Sequence, residues 1–224
     1  MNTFLKLSER LLNNVKLQES FDNEVNLLST LSYTDLLLEL NLDTKKKAFW
    51  INIYNSFYQI LAVEIQDKSI YKKRKIIVAN RLFSLDSIEH GILRKGKMVL
   101  GFGYLFNPFY PSFIKKLQVD KLDYRIHFAL NCGAVSCPPI LFYKSDTIDQ
   151  QLQLASFSFI ELETTIDFEK QTISTSKLFL WYKRDFGSEN KIKQIIGSIF
   201  NQDLSNYKLK YTAYNWTKQL HNFK

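Results

Sequence analysis

The chain has 224 residues, with 30 Lys plus Arg against 22 Asp plus Glu, three His, two Cys and a formal charge of +8. Its length suits one domain with a sizeable core, and 46% hydrophobic with 23% charged residues excludes a disordered chain. Two cysteines exclude a disulfide framework, and the first twenty residues break every apolar run with Lys, Glu, Arg or Asn, so a reduced cytoplasmic setting without a signal peptide is expected.

The charge does not point to nucleic acid. Of the 30 cations 24 are Lys, whereas bidentate reading of phosphate or guanine favours Arg. The runs at 45–47, 72–75 and 115–116 are scattered, not gathered on one periodic face.

In chain order, residues 1–42 read as two or three short helices, with Phe4, Leu7, Leu11, Leu12 and Val15, then Leu36, Leu37 and Leu40, at helical spacing. Asp43 or Thr44 is placed to cap the next helix. Residues 48–65 lack Gly and Pro and are largely apolar, which predicts a buried helix; amides interrupt it too often for a membrane span. After a basic loop, a hairpin is expected over 76–83, turning at Ala79, Asn80 and Arg81.

Asp86 with Glu89 three residues on makes a capping pair for a helix ending before Gly96. Residues 97–111 read as an ordered loop rich in Gly, Pro and aromatics. Residues 126–130 predict a strand, stopped by Asn131-Cys132-Gly133. An amphipathic helix over 147–163, a second hairpin over 166–174 and helices near 178–186 and 189–200 complete the pattern. Helices dominate and no regular alternation of strand with helix appears. The expected fold is α+β: a predominantly helical single domain with a few short antiparallel strands, in which residues 1–44 pack as a helical segment on residues 45–224.

Three segments carry candidate chemistry. On the helix over 48–65, Asn52, Asn55, Ser56 and Gln59 form one uncharged polar stripe among aromatic and aliphatic residues. Buried amides need partners, so this stripe either bonds a neighbouring loop or lines a cavity. On the second segment, Glu89 projects into an apolar face made by Leu85, Ile88, Ile92 and Leu93. A carboxylate there must be paired or protonated, and Arg125, His127 or a Lys is its expected partner. His90 lies on the flank, one turn after Asp86, an arrangement that suits a base and the carboxylate that orients it.

On the third segment, strand alternation sets His127, Ala129 and Asn131 on one face and Ile126, Phe128, Leu130 and Cys132 on the other. That makes His90, not His127, the expected partner of the Cys132 thiol. His90, His127, Cys132 and Cys137 together would form a zinc-compatible set. Four intervening residues, twice, are not the tight two-residue knuckle of structural zinc sites, so no metal or other cofactor is assigned. A Cys132–Cys137 redox pair is disfavoured on the same spacing.

These segments, Ala48-Phe49-Trp50-Ile51-Asn52-Ile53-Tyr54-Asn55, the run from Ser84 through Glu89 and His90 to Arg94, and Arg125-Ile126-His127-Phe128-Ala129-Leu130-Asn131-Cys132-Gly133-Ala134, resemble the domain of unknown function 547 family. Ser136-Cys137-Pro138-Pro139 and the tail around Tyr214 and Trp216 agree, so the resemblance runs over residues 48–216. It implies no settled reaction. Tyr124 stands where the family usually has Pro, and Asn215 where it usually has Asp, which weakens any His-orienting role there.

The resulting expectation is a cysteine-dependent hydrolase or acyl-transfer site. Cys132 is its nucleophile, His90 its base and Asp86 the orienter, while Glu89 and His127 are further acid–base groups. Asn52, Asn55 and Asn131 supply oxyanion donors, with Ser136 and Arg125 at the substrate. The ligand is a small molecule or peptide. The rival expectation is a non-enzymatic protein-interaction module that uses the aromatic loop over 102–113, and a Cys/His metal site comes third.

Overall fold

The computed structural model describes residues 3–99 and 101–224, so Leu100 of the aromatic loop lies outside the described residues. Four helices open the chain: α1 (Thr3–Leu17), α2 (Asp22–Thr30), α3 (Tyr33–Glu39) and α4 (Asp43–Glu64). Phe4, Leu7, Leu11 and Val15, spaced three to four residues apart, give α1 one apolar face, which packs along α4. α4 is buried nearly all round, as the lack of any charged residue between Lys47 and Glu64 requires. Neither Asp43 nor Thr44 caps it. Asp43 is its first residue, and its carboxylate accepts instead from the Asp120 and Lys121 amides at 2.7 and 2.9 Å.

A two-residue hairpin follows, β1 (Ile76–Val78) and β2 (Arg81–Phe83), turning through Ala79 and Asn80 with φ of 52° and 56°. Two positive φ values in sequence are the mirror-type turn whose twist suits a tight hairpin. Ser87–Leu93 then forms a π-helix, α5 spans Ser112–Leu117, and Tyr124–Phe128 is a 3-10 turn.

The strand expected over 126–130 is therefore absent. The Asp123 side chain caps the turn by accepting from Arg125 N, and among the described residues no strand pairs with it. The Ala129 carbonyl and the Asn131 amide find their partners in one side chain, that of Asn55.

The C-terminal part holds α6 (Ile148–Glu163), β3 (Thr165–Asp167), β4 (Thr172–Thr175), α7 (Leu178–Trp181), α8 (Lys183–Phe186), α9 (Glu189–Phe200) and β5 (Lys208–Tyr211). β3 and β4 are the expected hairpin. β5 joins β4 in parallel, with Ile173 opposite Leu209, so the strands are not all antiparallel. Parallel pairing needs a long crossover, and α7 to α9 supply it.

Two apolar clusters result: one gathers α1, α4 and the first hairpin, the other α6, α7, α8 and α9. The 3-10 turn bridges them, Ile126 in the first and Phe128 in the second. Beyond β5 the tail returns to the Cys132 region: Val135 N bonds Thr217 O at 2.9 Å and Gln219 N bonds Gly133 O at 2.7 Å. Among the described residues no helix is long and apolar enough to cross a membrane.

Candidate functional site

The polar stripe of α4 is buried, and its amides hold backbone. Asn52 donates to Tyr143 O at 2.8 Å and accepts from Tyr143 N at 3.1 Å. One turn on, Asn55 donates to Ala129 O at 3.0 Å and accepts from Asn131 N at 2.9 Å. Each side chain thus imitates the double bond of a strand pair. Asn131 is used likewise, donating to Pro138 O at 2.7 Å and accepting from Gly133 N at 2.8 Å. Asn52, Asn55 and Asn131 are clamps that shape the chain from 129 to 143, and none of the three lines the cavity described below.

The π-helix is nucleated by a serine pair. Ser84 N donates to Ser87 Oγ at 2.9 Å and Ser87 N to Ser84 Oγ at 3.2 Å, whereas Asp86 makes no cap hydrogen bond. The expected Asp86–Glu89 capping pair therefore does not form. π-Helical turns are rare and recur at functional sites. Here the turn sets the consecutive residues Glu89 and His90 on the lining of a single cavity, both buried.

Glu89 accepts from Tyr182 Oη at 2.8 Å and Tyr54 Oη at 3.3 Å; Arg125 is not its partner. Burial pushes the Glu89 carboxyl up, but in acid, where the imidazoles are protonated, the charges of His90, Arg94 and His127 and the Tyr182 hydrogen bond outweigh it and hold it below its ordinary range. The carboxylate is ionised in a hydrophobic wall. Burial and its charge together raise both tyrosine hydroxyls well above their usual range, so they remain donors.

His90 is held differently from expectation. Its Nδ1 lies 2.8 Å from Arg94 Nη1, and since a guanidinium only donates, Nδ1 accepts. The ring proton is then on Nε2, which faces Asp86 Oδ1 at 3.8 Å, beyond hydrogen-bond length. Burial holds the imidazole below its ordinary pKa against the pull of Glu89, so it is neutral. A neutral ring with its lone pair engaged is a proton donor at Nε2 and a poor base.

The group that sequence reasoning missed is Asp185, in α8. Its side chain is fully buried and accepts from Arg94 Nε at 2.6 Å, Lys97 Nζ at 2.8 Å and His127 Nε2 at 2.9 Å. Burial would raise its carboxyl, but the His127 and Arg94 hydrogen bonds bring it far below the carboxylate range. His127, stacked on Tyr182 with ring centroids 3.8 Å apart, therefore carries its proton on Nε2. Its Nδ1 makes no hydrogen bond among the described residues. Burial lowers its pKa too, leaving a neutral ring with a lone pair on Nδ1. No local signal marked it: Asp185 follows Lys183 and Arg184, and such a charged stretch reads as a solvated surface.

Cys132 and Cys137 are joined by a disulfide. This corrects two expectations: Cys132 is no free thiol in this structure, and the pair disfavoured on spacing is the pair that forms. No hydrogen bond links Cys132 to His90 among the described residues; Tyr214 Oη approaches the Cys132 and Cys137 sulfurs at 3.4 and 3.2 Å. Strand alternation does not separate His127 from Cys132 either, because the His127 segment is a 3-10 turn, and both residues line the same cavity.

That cavity, about 950 Å³, is open to solvent. Tyr58, Tyr71, Trp181, Tyr214 and Trp216 give it an aromatic wall, and Asp86, Glu89, His90, His127 and both cysteines line it. Arg125 and Ser136 do not. Arg125 pairs with Asp123 at 2.9 Å, and Ser136 Oγ accepts from Asn215 N at 3.0 Å. Among the described residues no group of three or more His, Cys, Asp or Glu side chains is placed to hold a metal ion, and the two sulfurs of the expected zinc set are bonded to each other.

No curated protein and no solved structure matches the chain. One family model does, over residues 37–160, which carry Glu89, His90, His127 and both cysteines but neither Asp185 nor the tail around Tyr214. With more than half of its length matched, the chain belongs to the family described as protein of unknown function, DUF547.

Proposed function

We propose that the aromatic cavity is the pocket of a hydrolase or acyl-transfer enzyme whose nucleophile is the Cys132 thiolate of the reduced chain and whose base is His127. One observation carries this reading: Cys132 lines the same cavity as His127, an imidazole oriented by a buried carboxylate 2.9 Å away. A histidine whose Nε2–H is held by an ionised Asp has Nδ1 ready to take a thiol proton. Protonated in that step, His127 is the acid that returns the proton to the leaving group, while neutral His90 offers its Nε2–H as a hydrogen-bond donor.

Glu89 stays ionised and stabilises positive charge that develops on either ring. The cavity volume suits a small molecule or the end of a peptide, and the aromatic wall suits an apolar or ring-bearing acyl group. The chemistry needs a reduced thiol, which is the state cytoplasmic thiol buffers maintain.

The test uses Cys137→Ser, which leaves Cys132 as the single thiol. Its alkylation by iodoacetamide, followed against pH, should give an apparent pKa below the ordinary value of about 8.5. His127→Ala in that background should slow alkylation at neutral pH by about tenfold. A thiol of ordinary reactivity, indifferent to His127, would remove the reading.

A second reading, a protein-interaction module, is favoured by the loop beside the cavity, where Phe102, Phe106 and Phe109 are 52%, 61% and 88% exposed. It predicts a partner retained by Cys132→Ala and lost by Phe106→Ser with Phe109→Ser.

A further inference from the structure

The Cys132–Cys137 disulfide differs from a buried structural crosslink in three respects. It borders an open cavity, and both cysteines belong to the lining. The two sulfurs are unequally placed: Cys132 is half-buried, whereas Cys137 is 5% exposed. The hydrogen bonds around them are unequal as well. Cys137 Sγ accepts from the Cys132 amide at 3.0 Å, and the Tyr214 hydroxyl, the donor because a bonded sulfur carries no proton, lies 3.2 Å from it against 3.4 Å from Cys132 Sγ. Burial raises the Tyr214 hydroxyl above its ordinary range, which keeps it a donor.

From these we infer that Cys132–Cys137 is an exchangeable disulfide, opened by a small dithiol that enters the aromatic cavity and attacks the Cys132 sulfur. A thiolate of the dithiol attacks Cys132 Sγ; the S–S bond breaks, and Cys137 leaves as a thiolate. A leaving thiolate that already has two hydrogen-bond donors departs faster, because those donors lower its pKa. The second thiolate of the dithiol then attacks its own mixed-disulfide sulfur, and Cys132 leaves. Two electrons and two protons pass from the dithiol to the protein, which ends with two thiols, while the dithiol ends as a cyclic disulfide. In reverse, Cys137 resolves a mixed disulfide on Cys132.

Exchange at this bond rests on the geometry alone. Its consequence, that reduction releases the nucleophile beside His127, rests on the function proposed above.

The full chain is treated with millimolar dithiothreitol at neutral pH without denaturant, quenched with iodoacetamide and weighed intact, while near-ultraviolet circular dichroism reports its packing. The expected result is double alkylation with packing retained. A bond that opens only when the chain unfolds would overturn the inference. Direction is tested with glutathione disulfide on the two single-cysteine variants: the adduct should form on Cys132 in Cys137→Ser at least tenfold faster than on Cys137 in Cys132→Ser. Equal rates, or a faster Cys137, would overturn the assigned sulfur. Tyr214→Phe should slow opening several-fold, and an unchanged rate removes its part in the leaving step.

Exchange and acyl transfer fail separately. An ordinary Cys132 in Cys137→Ser ends the hydrolase reading and leaves exchange standing, whereas a resistant bond ends exchange and leaves the thiol's reactivity to its own measurement.

Discussion

At the scale of single residues, the amide side chains of α4 show how much a polar stripe tells through its pattern alone. An uncharged stripe on a buried helix had to find partners, and Asn52, Asn55 and Ser56 find them while Gln59 accepts from His221 N at 2.9 Å. What the residues did not reveal was that the partners are backbone. Nothing local distinguishes an amide aimed at a substrate from one aimed at a loop about eighty positions away.

The clamp has a measurable weight. Asn55→Ala leaves Ala129 O and Asn131 N buried and unpaired. At about 1–3 kcal/mol for each such group, the variant should lose about 2–6 kcal/mol in a urea titration with its slope unchanged. A loss under about 0.5 kcal/mol would mean water or a shifted loop replaces the amide. Since the clamp shapes the cysteine-bearing turn, the same variant should also open the disulfide faster.

Among the elements, periodicity identified every long helix, because α1, α4, α6 and α9 each bury a face or a whole surface that recurs at helical spacing. It failed where a short apolar run was read as a strand. Ile126, Phe128 and Leu130 alternate as a strand does, but Asp123 caps a 3-10 turn first, and reading a strand there set His127 apart from Cys132. The π-helix was legible only as a helix: its widened turn comes from tertiary contact, not from propensity.

Gly91 marks that contact. A Cβ there would lie 2.9 Å from Ile114 Cγ2 and 3.0 Å from Tyr110 Cε1, so α5 and the preceding loop approach the π-helix where a side chain is missing. An exposed helical glycine changed to alanine usually gains about 0.5–1 kcal/mol. Here the sign should invert, with Gly91→Ala destabilising by about 1–3 kcal/mol through overpacking. Thermal melts compared with wild type decide it, and a stabilised variant would show that α5 yields freely.

Over the whole molecule, one ionic group connects the two apolar clusters. Asp185 in α8 receives Arg94 and Lys97 from the stretch after the π-helix and His127 from the bridging 3-10 turn, while Tyr182 reaches Glu89 across the cavity. Its members titrate in a way that fixes how stability depends on pH. His90 and His127 are both buried, with pKa values below the ordinary value near 6.5. Below that value the unfolded chain binds protons that the folded chain refuses, so the unfolded state holds more protons and stability rises with pH.

The loss should therefore begin as pH falls through about 6.5, well before the carboxylates matter. Asp185 and Glu89 are depressed, as is Asp123 at about 2, where burial opposes but the Arg125 and Lys47 hydrogen bonds prevail; their stabilisation is full at neutral pH and declines only below about 4. At up to about 1.4 kcal/mol per pH unit for each imidazole, urea titrations should show about 2–4 kcal/mol less stability at pH 5 than at pH 7.5. His90→Gln, whose amide oxygen can still accept from Arg94, should lose about half of that difference. A chain equally stable at both values would mean that the two rings take up protons in the folded state, which would make the neutral tautomers assigned to the cavity wrong.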